Sequence, residues 1–205
     1  LLRIPPRVWL KDVRREGATL LKDLLICAAA ADQLAQSCKT AGISHVHVHS
    51  CGRAALIATL AHHLTGLTYS ITLHGPMSDY GVGQRLKWRH AAFATVITRK
   101  LRALLPDQLG PDLPDRIIVQ PMGVDVDALN RETPYIPAQP DTPIRLFSCG
   151  RLNVVKGHQD LMQAVRLLRD RGFDATLEIA GEDDDGGDGY HAELQRHCDA
   201  LNLQN

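Results

Sequence analysis

The chain has 205 residues, 44% hydrophobic, 22% charged and 4% aromatic, a balance that excludes a disordered or fibrous protein and fits one large globular domain or two small ones. Its 23 Lys and Arg cancel its 23 Asp and Glu, so no global basic field points to a nucleic-acid partner. The longest apolar run, Leu24 to Ala31, is too short to cross a bilayer, and no signal-peptide pattern opens the chain, so a cytoplasmic location is expected.

The charge is unevenly distributed. Through Pro134 there are 16 basic and 11 acidic residues, and from Tyr135 onward 7 and 12, giving halves of +5 and −5 and suggesting two units with different partners. The five cysteines (Cys27, Cys38, Cys51, Cys149, Cys198) are odd in number and form no CxxC pair, so they read as buried small hydrophobes, without a disulfide framework or zinc ribbon. Leu1 stands where a methionine would begin a protein, and a helix-like stretch runs up to Asn205 with no strand after it, so the chain reads as a fragment.

Basic residues Arg3, Arg7, Lys11, Arg14 and Arg15, interleaved with Trp9, Leu10 and Val13, give the first segment the pattern of a basic amphipathic helix, delayed by Pro5 and Pro6 to about Trp9. It fits either a solvated basic face or peripheral contact with an anionic membrane. Leu20 to Cys38 has helical spacing, and HVHVH (His45 to His49) alternates as a strand. Arg53 to Leu64 is helical, with His62 and His63 as a surface helix end, and leads through Gly66 into the strand TYSITLH. Gln84 to Ala94 reads as helix, Ala94 to Thr98 as strand, Lys100 to Leu104 as helix and Arg116 to Gln120 as strand. This rhythm argues for a parallel, doubly wound sheet with ligands beyond the carboxyl ends of the strands.

RETPYIPAQPDTP, from Arg131 to Pro143, holds four prolines and no hydrophobic period. The domains are therefore placed at 1–134 and 144–205, with a linker at 135–143. Beyond the linker come the strand IRLFSCG, a helix from His158 to Arg171, the strand ATLEIAG, an acidic loop and a helix from about Tyr190 to Leu201. This is the first half of a second α/β domain.

Three motifs carry candidate chemistry. In GRLNVVKG, Gly150 lets the chain turn sharply after a strand, and the following helix aims free N–H groups at an anion. Arg151 offers a planar fork and Lys156 a mobile charge, a pair suited to a diphosphate, although the same residues also fit a solvated basic loop. In QPMGVDVDAL, Gly123 allows a turn beside a ligand and Asp125 braces it toward a cleft, or the segment is simply a turn. In TLHG, His74 sits at a strand's carboxyl end, as a structural or a ligand-facing histidine.

In order, HVHVH, TLHGPMSDY, RIIVQPMGVD, a proline-containing linker, LFSCGRLNVVKGHQDLMQA and TLEIAG resemble the family 4 glycosyltransferases of the GT-B architecture, closest in flavour to exopolysaccharide and colanic-acid-type enzymes. The resemblance runs from about His45 to the C-terminus. It implies an α/β fold of two Rossmann-like parallel-sheet domains, both incomplete in this chain. It implies transfer of a hexosyl group, with retention, from a nucleotide diphosphate sugar to a glycan or lipid-linked glycan in polysaccharide biosynthesis.

By that resemblance Gly150, Arg151 and Lys156 hold the donor diphosphate, His74 is catalytic, and His49, Gly75, Gly123 and Asp125 line the cleft. No metal or other cofactor is expected, because Arg151 and Lys156 supply the charge a cation would. The family's paired glutamates fall beyond Asn205, so this chain is expected to be inactive alone. The alternatives are a non-catalytic nucleotide or sugar-phosphate binding module and a GT-B-like phosphorylase or epimerase.

Two metal readings are the lesser ones on pattern, against strand packing or acceptor-side contacts for the histidines and a solvated turn for the acidic loop. His45, His47 and His49 share a strand face, but no acidic residue lies within ten positions of them. In the loop Glu182 to Asp188, placing Gly186 at position 6 of a calcium loop puts Gly181 and Ala192 where carboxylates are required.

Overall fold

A computed structural model describes residues 3–137, 139, 142–183 and 189–204. The chain separates into two compact units, Leu1–Val126 and Asp127–Asn205. The first contains helices α1 (Leu10–Glu16), α2 (Ala18–Thr40), α3 (Arg53–Thr65), α4 (Gln84–Arg89) and α5 (Arg99–Leu109). Its strands β1 (His45–Val48), β2 (Thr68–Leu73), β3 (Phe93–Val96) and β4 (Ile117–Val119) form one parallel sheet in the order β1-β2-β3-β4. Each connection steps to the next strand in the same direction, and crossovers of a single hand then put their helices on one face. Accordingly α3, through Ala55 and Ala58, and α5, through Leu105 and Leu109, pack on the same side as Tyr69, Ile71, Leu73, Ala94 and Val96. The strand order does not reverse among the described residues. The opposite face carries His45, His47, Ser70, Thr72, Phe93 and Thr95.

Local chemistry sets the element ends. Gly66, in the left-handed region, closes α3 by donating its N–H to the His62 carbonyl at 2.7 Å. The Thr98 hydroxyl caps α5 by accepting from the Leu101 N–H at 3.1 Å. The helix expected over Gln84 to Ala94 stops at Arg89, and the next strand begins at Phe93. The reason is tertiary: the Ala92 N–H bonds the Tyr69 carbonyl at 2.8 Å, so ladder pairing overrides the helix preference of the alanines.

Outside the sheet, α2 presents Leu20, Leu24, Cys27, Ala31, Ala35 and Cys38 as one stripe against Leu56 and Leu60 of α3, with Val8, Trp9 and Val13 beside them. The apolar side of the basic N-terminal segment thus faces the protein interior. Its Asp12 is fully buried, and both its oxygens accept from the Arg89 guanidinium at 3.0 Å, while Arg89 Nε also reaches Asp112 at 2.6 Å. Burial raises the Asp112 carboxyl, but the Arg89 hydrogen bond and charge outweigh it and hold the group below its ordinary value.

The second unit contains β5 (Ile144–Cys149), α6 (His158–Asp170), β6 (Ala175–Ala180) and α7 (Tyr190–Ala200). The two strands pair in parallel, and Met162, Tyr190 and Leu194 of the helices pack with Leu177 and Ile179 on one face. The other face exposes Phe147 and Cys149, so Cys149 is not the buried hydrophobe the composition suggested, whereas Cys27, Cys38 and Cys51 are. The acidic stretch 184–188 lies outside the described residues. Among the described residues no helix is long and apolar enough to cross a membrane.

His62 and His63 are not a solvated helix end. Their rings pack on each other and on His90, and His62 Nδ1 donates to the Leu67 carbonyl at 3.0 Å. Burial, with His90, His62 and Arg89 nearby, lowers His63 from 6.5 to about 4, and burial likewise lowers His90. The folded state therefore favours the neutral ring. Stability is full above pH 6.5 and is lost as pH falls toward 4, because the unfolded chain takes up the proton first. Denaturant midpoints measured from pH 7.5 to 4.5 are expected to fall, and His63→Leu is expected to flatten that decline.

Candidate functional site

Two groups of side chains stand at the carboxyl ends of strands, one in each unit. In the first unit, β1 and β2 deliver His49 and His74 side by side. His49 Nδ1 and His74 Nε2 are 3.4 Å apart, and the rings lie 5.6 Å apart at 26°. Gly75 follows, with the Tyr80 hydroxyl and the Asp79 carboxylate 3.6 and 3.7 Å from where a Cβ would stand.

The loops carrying these residues are tied together from below. Lys87 Nζ donates to the Cys51 and Tyr80 carbonyls at 2.9 and 3.3 Å, and Gln84 Nε2 donates to the same two carbonyls and to that of Gly81. Burial lowers the Lys87 ammonium to about 8, although Cys51, Asp23 and Glu16 oppose the shift. Burial also raises the Cys51 thiol to about 12, so it is no nucleophile at neutral pH. By sequence alone Lys87 is one position of a helix. A lysine between apolar neighbours in Leu86-Lys87-Trp88 was the available signal.

In the second unit the motif forms the expected turn. Gly150 ends β5, Val154–Lys156 make one 3-10 turn, and Gly157 at φ +68° starts α6 without a side-chain cap. The first N–H groups of α6 therefore have no side-chain cap from Gly157, and the acidic Asp160 stands in the same first turn. The stem of Lys156 lies over Gly150, 3.8 Å from the place of a Cβ, and Arg151 and Lys156 are both exposed. An open groove of about 740 Å³ is lined by Gly150 and Arg151 and bordered by Gly181, Glu182 and Asp183.

Two supporting residues here were not anticipated. His158 is buried, its Nε2 donates to the Arg151 carbonyl at 3.2 Å, and that bond holds the arginine's backbone at the groove. Gly181 lies so close to Gly150 that a Cβ would stand 1.9 Å from the Gly150 carbonyl oxygen. The strands continue their pairing just there, with Gly150 N–H on the Ala180 carbonyl and Leu152 N–H on the Glu182 carbonyl.

The structure thus joins His49 with His74 and Gly75, and Gly150 with Arg151 and Lys156. Gly123 and Asp125 lie in the exposed segment after β4, and Gly123 has φ outside the left-handed region and nothing within 4 Å of a Cβ position, so that turn has room for a side chain. Among the described residues no group of three or more His, Cys, Asp or Glu is arranged to hold a metal ion.

No protein-family model matches this sequence, and no curated protein matches it. Solved structures do. HepE of Anabaena, crystallised with UDP and glucose, is similar with a TM-score of 0.64 and 17% identity over 85% of this chain and 49% of its own. The sucrose-phosphate synthase of Thermosynechococcus elongatus is similar with 0.62 and 15% over 85% and 46%. A UDP-forming α,α-trehalose-phosphate synthase of Burkholderia vietnamiensis is similar with 0.56 and 16% over 89% and 50%. The chain spans about half the length of these proteins, and at such identities the likeness is one of fold: two Rossmann-like parallel-sheet units of the GT-B kind.

Because a methyl group at Gly181 collides with backbone rather than with a movable side chain, Gly181→Ala is expected to cost about 3 kcal/mol or more, the upper end of overpacking. A urea melt of the variant checks this. Gly123→Ala, with open space around it, is expected to leave the midpoint unchanged.

Proposed function

We propose that this chain belongs to a retaining, family 4 type glycosyltransferase that moves a hexosyl group from a nucleotide diphosphate sugar to a glycan or lipid-linked glycan in polysaccharide biosynthesis. One observation carries the reading: a glycine turn with two exposed cations and an uncapped helix start, at the carboxyl end of β5, on a fold shared with a protein crystallised with UDP and glucose. Arg151 and Lys156 bind the diphosphate and stabilise the charge it gains on departure. Glu182 and Asp183, on the other border of the groove, suit hydroxyl groups rather than phosphates. His74 is the catalytic residue proposed to face the donor sugar, and His49, Gly75, Gly123 and Asp125 are the proposed lining residues. The reaction needs no metal in this reading.

Peripheral membrane contact, if it accompanies this function, is electrostatic. Trp9 and Val13 pack inward, Arg3 pairs with Asp32 and Arg15 with Asp12, which leaves the exposed Arg7, Lys11 and Arg14 to meet anionic headgroups from the cytoplasmic side.

Calorimetric titration of this chain with UDP tests the donor site. Binding is expected, and Arg151→Ala and Lys156→Ala are each expected to weaken it by about 10- to 100-fold, the scale of a charge-assisted contact. Equal affinity in the wild type and both variants overturns the diphosphate assignment.

A further inference from the structure

The sheet face opposite α3 and α5 carries a continuous chain of hydrogen bonds whose direction follows from its end. The Thr68 hydroxyl donates to the Ser44 carbonyl at 2.9 Å, and a carbonyl can only accept. Thr68 Oγ1, having spent its hydrogen, accepts from His45 Nδ1 at 2.8 Å. Ser70 Oγ stands 2.8 Å from His45 Nε2 and 2.7 Å from His47 Nδ1 with one hydrogen to give, so where His45 carries its single hydrogen on Nδ1 the hydroxyl donates to His45 Nε2 and accepts from His47 Nδ1. His47 Nε2 then accepts from Thr72 at 2.8 Å, and Thr72 accepts from Thr95 at 2.5 Å.

Every hydrogen points the same way, from Thr95 across to Ser44, and both imidazoles are fixed with the hydrogen on Nδ1. Ser70 and Thr72 are buried beneath the rings, where an unmade hydroxyl bond is costly. Burial, with His49, His45 and His74 beside it, lowers the His47 imidazole from its ordinary value, which favours the neutral ring. Phe93 stacks against His45 and His47 from β3, at 5.8 and 6.1 Å between ring centres.

The chain ends one step short of the His49–His74 pair. His49 rests edge-on against His47, 4.8 Å between ring centres at 83°, and its Nδ1 faces His74 Nε2 at 3.4 Å, at the long end of hydrogen-bond reach. We propose that His49 is a positioning residue for His74, held in place by the ordered His47 ring, and that the pair shares one hydrogen between its facing nitrogens. The sharing couples the tautomers. If His49 donates from Nδ1, His74 Nε2 is bare and His74 carries its hydrogen on Nδ1. If His74 donates from Nε2, His49 carries its own on Nε2. Either way the two rings hold the same tautomer, and His74 presents one fixed nitrogen to its surroundings. This inference deepens the reading of His74 as the donor-facing histidine and rests on it.

Long-range proton–nitrogen correlation spectra of the 205-residue chain, labelled with 15N-histidine, report each ring's tautomer without any need for turnover. His45 and His47 are expected as Nδ1–H, and His49 and His74 as a matching pair. In His49→Ala the His74 resonances are expected to move to the mixed average of a solvated ring, and His49→Asn, which keeps a polar group at that place, is expected to restore part of the preference. Thr72→Val, which removes the bond to His47 Nε2, is expected to mix the His47 tautomers and to shift His49 with them. Unlike tautomers at His49 and His74, or His74 resonances unmoved in His49→Ala, overturn the proposal. Saturating UDP-glucose is a separate arm: His74 resonances unmoved by it overturn the donor-facing reading, while the coupling is scored on the ligand-free chain.

Discussion

The hand of the strand–helix–strand crossover is the constraint from which both candidate sites descend. Four parallel strands laid down in consecutive order, joined by crossovers of one hand, send α3 and α5 to the same face and bring every strand's carboxyl end to the same edge. One consequence is apolar. Tyr69, Ile71, Leu73, Ala94 and Val96 are sealed under the helices. The other is polar, because period-two alternation turns His45, His47, Ser70, Thr72 and Thr95 to the opposite face, where the buried Ser70 and Thr72 find their partners in the neighbouring side chains.

Within that frame the supports matter as much as the groups they hold. His74 and Arg151 are the residues whose chemistry is conspicuous, yet each is placed by a neighbour with no obvious chemical role. Lys87 and Gln84 tie the loop after β1 to the loop after β2 through shared carbonyls. His158 anchors the Arg151 backbone, and Gly181 lets β6 approach the Gly150 carbonyl closely enough to continue the ladder into the groove. Such groups act on geometry, and a site whose polar atoms are held before a ligand arrives loses less on binding it.

The charge asymmetry of the chain also takes on a local meaning. The basic excess of the first 134 residues is partly consumed internally, since Arg89 spans Asp12 and Asp112 inside the fold and Arg3, Arg15 and Arg53 are each paired. The second unit is acidic overall but keeps Arg151 and Lys156 exposed beside its groove. Net charge by segment therefore does not describe the local surface, which is set by which cations are paired inside the fold and which are left exposed.

Element identity and order were legible in the chain itself, because periodicity, glycine stops and proline runs are local signals. β1, β2, β6, α2, α3 and α6 fall within a few residues of where alternation and helical spacing put them. The turn between β5 and α6 was legible too, since a glycine, two cations and a second glycine lie within eight residues. What required tertiary structure was every relation between strands. The helix expected through Ala94 ended at Arg89 because Ala92 bonds Tyr69, a partner 23 positions away. His62 and His63 proved to be packed with His90 rather than solvated, and the contact between Gly181 and Gly150 has no local signature. The direction of the Thr95-to-Ser44 chain depends on β1, β2 and β3 lying in register. A sequence displays which face a histidine occupies, but only the pairing of strands decides which hydroxyl stands opposite it and therefore which nitrogen carries the hydrogen.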